Sequence, residues 1–301
     1  MNGVIPLFKP KGVTSAGCVY QLRKILHERR IGHTGTLDPD VDGVLPICVG
    51  QATKLVDRIQ ASGKIYQGEI TLGFATTTED LSGEEIQRVA LSQAPTAQVI
   101  DDCLAQFVGE VTQIPPMFSA VKVNGKRLYE YARAGETVER PSRKIQVDYF
   151  KRTSDLHYHE DSKTATFTFE VGCSKGTYVR TLATDVGKKL AIPAVMSDLR
   201  RLKSGGIKLD QTVTLEEVAA AVEQNQLNQV LQPIETVLAP LPNIELTSQQ
   251  WQKVQNGGVI TTDLTAPEIT LTYQDHIKAI YRYQKSALGN YVPETMLLAN
   301  E

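Results

Sequence analysis

The sequence predicts an α+β chain with a small β-rich tail, on three observations. Segments that alternate apolar and polar residues, as strands do, are interspersed with segments whose apolar residues recur at helical spacing. Several of the helical segments open on a serine or threonine placed to cap them. The proline-punctuated stretch Pro233–Pro242 reads as a linker, and beyond it the chain is mostly strand-like and too short for a large core. With 301 residues, this gives a large domain over 1–240 and a small one over 241–301.

Taken in order, VIPLF (4–8) is a short buried strand, and Lys9-Pro10-Lys11-Gly12 is a turn. Ser15 is expected to cap a helix over about 16–30, with Val19, Leu22, Ile25 and Leu26 on one face and Arg29-Arg30 at its basic end. Gly32, Gly35, Gly43 and Pro39 are expected to break regular structure before the apolar run Val44–Val49. KIYQGEITLG (64–73) alternates as a strand with Tyr66, Gly68, Ile70 and Leu72 on one side. Thr96 caps a helix carrying Val99, Ile100, Cys103, Leu104 and Phe107. Asn124-Gly125 signals a hairpin turn, making Ser119–Val123 a strand, and Leu128–Ala134 a short helix follows. ATFTFEVGC (165–173) is a further strand, leading to a helix through Leu182, Val186 and Leu190. Thr214-Leu215-Glu216-Glu217 is a capping box that opens a helix to about Asn225. The tail holds IELTS, EITLTY, IKAIYRY, Trp251 and the turn Gly257-Gly258.

Composition is that of an ordinary globular protein, 41% hydrophobic and 22% charged. The apolar runs fall far short of the ~20 residues of a membrane span, and the N-terminus lacks the pattern of a signal peptide. Cys18, Cys48, Cys103 and Cys173 are widely spaced, as reduced, buried thiols of a cytoplasmic protein would be. Net charge is only −2, but charge is segregated. Between Glu79 and Glu110 seven acidic residues face Arg88 alone. Between Lys122 and Lys144 the balance reverses: Lys122, Lys126, Arg127, Arg133, Arg140, Arg143 and Lys144 stand against three glutamates. Arg200, Arg201 and Lys203 form a second basic cluster. Such segregation lets one face bind a polyanion, and tyrosines interleaved with the first cluster (Tyr129, Tyr131) suit RNA.

The chemistry-bearing stretch is GHTGTLDPDVDGVLPICVGQATK (32–54), with Asp38 at the centre of its turn-rich half. Asp38-Pro39-Asp40-Val41-Asp42-Gly43 begins like an EF-hand loop, yet the position that needs a bidentate glutamate is Val49. His157 and His159 lack further ligands at zinc spacing, and dinucleotide and phosphate-loop glycine motifs are missing. No metal and no cofactor are expected. A lone loop aspartate is ordinarily a turn former; what singles out Asp38 is its company.

That company resembles one family. The 32–54 stretch is similar to the catalytic motif of the bacterial tRNA pseudouridine-55 synthases. KPKGVTS, KIYQGEITLG, PPMFSAVKVNGKRLYEYARAG and CSKGTYVRTLATDVG resemble the same family in the same order, over about residues 4–206. A sister branch that works in guide-RNA particles shares the core. The resemblance implies the pseudouridine synthase fold: a mixed, mainly antiparallel sheet flanked by helices, with residues 241–301 as a PUA-like domain. It implies Asp38 as the catalytic aspartate, Tyr66 as the tyrosine that stacks on the base, and Arg180 as the arginine paired with the aspartate. Tyr178 and Leu199 match residues lining the uracil pocket, and His33 the histidine that inserts into the T loop. Residues 113–145 match the insertion that clamps the T arm. With Lys9 of the first motif, Lys122, Lys126, Arg127 and Arg133 are expected to bind substrate. Asp40 and Asp42 add acid where the family is usually uncharged, and neighbouring carboxylates raise one another's pKa.

The expected partner is therefore tRNA, at its T arm and T loop. The chain is expected to act as a cytoplasmic monomer, with no membrane and no obligate protein partner. The competing reading is an RNA-binding or RNA-folding protein on the same scaffold. Asp38, Tyr66 and Arg180 together favour an enzyme, because a pure binder needs no such triad.

Overall fold

The computed structural model describes residues 1–285 and 289–297. The remaining residues of the expected 241–301 domain lie outside the described residues. The chain forms two compact units, one of Met1–Pro39, Val44–Ile59 and Asp210–Glu301, the other of Asp40–Gly43 and Gln60–Leu209. The strand Asp42–Val49 is divided between them.

In the second unit, Lys64–Leu72 lies between Ala194–Ser204 and Thr164–Cys173. Arg143–Arg152 follows, then Gly109–Gln113, all antiparallel. Asp42 and Gly43 run parallel to Arg200 and Arg201, so the sheet is mixed and mainly antiparallel, as expected. Alternation in Lys64–Leu72 buries Tyr66, Gly68, Ile70 and Leu72. Phe167, Phe169, Val171 and Cys173 are buried along the neighbouring strand. Phe107, Phe150 and Phe169 pack edge-to-face at 6.2 and 5.3 Å, the arrangement ring quadrupoles favour. The helix Val179–Leu190 buries Leu182 and Val186. The helix Ala97–Ala105, capped by Thr96, buries Ile100, Cys103 and Leu104 but leaves Val99 exposed.

In the first unit, Gly3–Lys9 pairs with Asp42–Val49, and Ile31–His33 pairs antiparallel to the latter's other edge. The helices Ser15–Leu26 and Leu215–Glu223 close a core of Ile5, Leu7, Leu22, Leu45, Ile47 and Val218. A separate five-stranded sheet forms from Asn243–Glu245, Glu268–Tyr273, His276–Tyr283, Asn290–Met296 and Ile260–Thr261. Its own core holds Leu246, Ile269, Leu271, Tyr281 and Tyr291, so the C-terminal region is β-rich as expected.

Four local expectations are corrected. The first helix is capped by Thr14, whose side chain accepts from Gly17 N, and ends at Leu26 with His27 left-handed. Arg29 and Arg30 thus lie beyond it. Ser15 does not cap because its hydroxyl is committed elsewhere. Ile31–His33 is a strand despite Gly32, because it pairs residue for residue with Ile47–Val49. Pro233–Pro242 contains the helix Ile234–Leu238 with both end residues buried, so it is packed structure and not a slack linker. The expected strand Ser119–Val123 is reduced to Lys122–Val123, paired with Lys126–Arg127. Asn124 (φ 51°) and Gly125 (φ 83°) form the tight turn that two-residue hairpins require.

Candidate active site

Asp38 sits in a loop of the first unit that is pinned on both sides. Upstream, the Ser15 hydroxyl accepts from Leu37 N at 2.9 Å and donates to Leu37 O at 3.1 Å. Downstream, Lys9 Nζ donates to Pro39 O at 3.1 Å and to Pro10 O at 2.9 Å, and Gly12 N donates to Pro39 O at 2.8 Å. Lys9 is 0% exposed, and Leu37 and Ser15 are buried. A buried ammonium is costly unless its donors are satisfied. Here two carbonyls accept from it, and the charge helps hold the peptide beside Asp38. Asp38 itself is half-buried. His33, expected to probe the RNA, is half-buried on the edge strand Ile31–His33, and its Nδ1 accepts from Gly35 N at 3.3 Å.

Tyr66, Arg180, Tyr178 and Leu199 all belong to the second unit. Across the sheet, Tyr66 faces Arg201 and Gly68 faces Leu199, so Tyr66 and Leu199 are diagonal neighbours on one face. A Cβ on Gly68 would stand 2.6 Å from the Phe169 ring and 2.9 Å from Leu199 Cδ1, so only glycine admits Leu199 at this position. Arg201, 0% exposed, holds its guanidinium 6.0 Å from the centroid of the Tyr66 ring. Gly43 (φ 113°) makes this approach possible from the neighbouring strand, since a Cβ there would lie 2.3 Å from Arg201 O.

Arg180 lies in the first turn of the helix Val179–Leu190 and is 5% exposed. Its Nη1 donates to Thr78 O at 2.8 Å and its Nη2 to Phe118 O at 2.9 Å, with Asp80 Oδ2 3.6 Å from Nη1. The turn that presents Thr78 and Asp80 is self-bonded: Thr78 Oγ1 and Ser82 N both donate to Asp80 Oδ1, at 2.6 and 3.0 Å. Next to it, Thr181 Oγ1 donates to Glu79 at 2.7 Å, while burial pushes the Glu79 carboxyl above its usual range. The N-terminus of this helix is capped from a distance. Tyr178, the capping residue, makes no capping hydrogen bond with its side chain. Instead Gln113 Nε2 donates to Tyr178 O at 3.0 Å, and Tyr178 N donates to Gln113 Oε1 at 2.8 Å.

The extra acids beside Asp38 have a structural account. Asp42, buried, takes a bidentate pair from Arg200 at 2.8 and 2.7 Å, so its charge is compensated locally; Asp40 is exposed. Within the basic cluster Arg200, Arg201 and Lys203, Arg201 is therefore buried and Arg200 is bonded to Asp42. Among the described residues, no three His, Cys, Asp or Glu side chains gather as a metal site requires.

In the insertion, Lys122, Arg127 and Arg133 are exposed and Lys126 is half-buried. Lys126 pairs with Glu136 at 2.8 Å and lies 4.5 Å from the Tyr131 ring. Arg127 and Arg133 lie over Tyr129 at 5.9 and 5.4 Å. The interleaving of tyrosines and cations thus builds a self-packed cation–π cluster, which orders the long basic side chains.

Sequence reasoning missed Ser15, Thr78, Asp80, Gln113 and the burial of Lys9 and Arg201. Lys9 and Ser15 carried a signal, as the ends of KPKGVTS. The others act through partners far along the chain, Thr78 and Asp80 through Arg180, Gln113 through the Tyr178 backbone and Arg201 through the Tyr66 ring, which no local pattern announces.

The chain matches two family descriptions. Residues 23–179 match "TruB family pseudouridylate synthase (N terminal domain)", and residues 180–239 match "tRNA pseudouridylate synthase B C-terminal domain". It is 54% identical to the tRNA pseudouridine synthase B of Lactiplantibacillus plantarum, covering 100% of both chains. It is 52% identical to that of Latilactobacillus sakei, covering 100% of this chain and 99% of the other. Among solved structures, a chain of a Cbf5–Nop10–Gar1 complex aligns with TM-score 0.72 at 25% identity, over 98% of this chain and 85% of that one. The Cbf5 of an archaeal box H/ACA Nop10–Cbf5 complex aligns with TM-score 0.68 at 23% identity, over 98% and 86%, and shares the fold. With a pinned aspartate loop and an anchored arginine on this fold, the chain belongs to the TruB family of pseudouridylate synthases.

Proposed function

We propose that the chain, a pseudouridine-forming enzyme acting on tRNA, isomerises the uridine at position 55 in the T loop, with Asp38 as the reacting carboxylate and the target base flipped from its stack. The observation that carries this reading is the pinning of the loop: Leu37 is held by Ser15, and Pro39 by Lys9 and Gly12, leaving the carboxylate between them preorganised. Preorganised charge is what transition-state stabilisation requires.

The isomerisation is balanced within one nucleotide. The N1–C1′ bond breaks, the uracil turns, C5 bonds to C1′, the C5 proton leaves to solvent, and N1 gains a proton. Nothing is oxidised or reduced, and no group is added. A carboxylate serves as nucleophile or charge stabiliser at C1′ and as proton acceptor for C5. Arg180, rigidly held by Thr78 and Phe118, supplies the cation that keeps the carboxylate ionised as water is excluded. Tyr66 offers its ring to the extruded base, returning about 1–3 kcal/mol of the few that flipping costs. Tyr178 and Leu199 line the uracil pocket. His33 enters the gap in the T loop. Lys122, Lys126, Arg127 and Arg133 hold T-arm phosphates, and the region 241–301 acts as a PUA-like RNA-binding domain. Lys9, wholly buried, acts through the loop it holds.

The test uses tRNA transcripts made with 5-tritiated uridine, unmodified at position 55 or carrying cytidine there. Tritium release from the first and none from the second is expected. Equal release from both transcripts overturns the assignment of position 55, and release from neither overturns the activity on tRNA.

A further inference from the structure

Both ends of the insertion over about 113–145 converge on Tyr178. At its entry, the Gln113 amide forms the reciprocal pair with the Tyr178 backbone at 3.0 and 2.8 Å. At its exit, the Arg143 guanidinium lies 4.8 Å from the centroid of the Tyr178 ring. Gln113 and Arg143 are register partners across antiparallel strands, so the two ends of the insertion meet at one residue. Five residues into the insertion, Phe118 O accepts from Arg180, two residues beyond Tyr178.

Three details show that this junction is built. Gln113 is 1% exposed although Thr112 and Ile114 beside it are exposed. Burying a primary amide is unfavourable unless its atoms are bonded, and both its oxygen and its nitrogen go to the same residue. Among the described residues Arg143 Nη2 is buried with no hydrogen-bond acceptor, while the guanidinium lies against the Tyr178 ring. Gly176 (φ 84°) leaves the space for it, since a Cβ there would stand 3.2 Å from Arg143 Nη1.

Resting on the proposed tRNA reaction, we infer that Gln113 and Arg143 are positioning residues. They make the seating of the insertion and the orientation of Tyr178 one event, so the uracil pocket assembles only when the insertion is docked. Gln113 fixes the backbone of Tyr178 and Arg143 fixes its ring. RNA held by the exposed basic residues of the insertion then acts on the pocket through these two contacts. Loss of either leaves the RNA bound but the tyrosine misplaced. The signature is a fall in the chemical rate without a matching fall in affinity.

The experiment measures single-turnover tritium release at saturating tRNA, tRNA affinity by filter binding, and thermal midpoint. The variants are Gln113→Leu, Arg143→Met, Arg143→Lys, the double Gln113→Leu/Arg143→Met, and Arg143→Met on a Tyr178→Ala background. Gln113→Leu and Arg143→Met should each lower the rate about ten- to hundredfold, the scale of an ångström of misplacement, with affinity within about threefold. The double variant should lose less than the product of the singles, because both act through one residue. Arg143→Lys should recover most of the rate, since an ammonium also seats on a ring face. On the Tyr178→Ala background, Arg143→Met should have no further effect. Should Gln113→Leu fail to fold, Gln113→Glu, which keeps one bond and the side-chain size, is read in its place. The inference is overturned if affinity falls while the rate stands, if Arg143→Lys is as slow as Arg143→Met, or if the two losses multiply. A wild-type protein that releases no tritium overturns the proposed reaction instead.

Discussion

Replacing Ser15 by alanine removes both bonds that hold Leu37, the residue before Asp38. Leu37 and Ser15 are buried, so water does not replace the hydroxyl without local opening. One N–H and one C=O are then left without that partner, which costs about 1–3 kcal/mol of stability. The effect on rate is separate. A displacement of the Asp38 carboxylate by about 1 Å costs on the order of 100-fold, equivalent to about 2.7 kcal/mol of transition-state stabilisation. Ser15→Thr keeps the hydroxyl and should retain most of both. Stability is read from urea midpoints, and rate from single-turnover tritium release at saturating tRNA under conditions where the variant is folded. If Ser15→Ala is destabilised yet releases tritium within about twofold of wild type, the pinned loop is structural only and the preorganisation argument fails.

Other expectations follow from the same geometry. Arg180→Lys keeps the charge but not the planar fork that reaches both Thr78 O and Phe118 O; single-turnover release should fall at least about 100-fold while filter binding still detects tRNA, and near-normal turnover refutes the role. Lys64 is pushed down from 10.5 to about 8, by burial first and Arg201 second. Its charged form therefore costs stability below about pH 8, and the cost is relieved as pH rises toward about 10.5. Lys64→Met should raise the unfolding free energy from urea titration at pH 7, by at most about 3 kcal/mol, and flatten the rise between those limits; an unchanged pH profile refutes it. Alanine at Lys122, Arg127 or Arg133 should weaken tRNA binding and lower the slope of log affinity against log salt by about 0.7–0.9 for each phosphate no longer neutralised, and a slope unchanged in the triple variant argues against that patch.

Strands and helices were legible where one face is buried, because burial enforces periodicity. Lys64–Leu72 and Thr164–Cys173 are of this kind, and so is the hairpin turn at Asn124-Gly125, whose backbone demands those residues. Ile31–His33 was not legible, since its pairing with Ile47–Val49 overrides a glycine's local preference. The setting of the basic run Arg200-Arg201-Lys203 was not legible, because charge in a sequence carries no burial: Arg201 is enclosed within the sheet and Arg200 answers Asp42. The same pair explains why an additional aspartate is tolerated beside Asp38. Candidate residues were readable only through their motifs. What holds them was not, because Ser15 to Leu37, Gln113 to Tyr178 and Arg180 to Thr78 are side-chain-to-backbone bonds spanning 22 to 102 positions.

The central claim, that Asp38 is the reacting carboxylate, is tested most directly by Asp38→Asn in single-turnover tritium release from 5-tritiated tRNA. The variant keeps the size of the side chain and, with Ser15, Lys9 and Gly12 intact, the pinned backbone. Release at background level with tRNA affinity retained is expected. Release at a rate near that of wild type would contradict it.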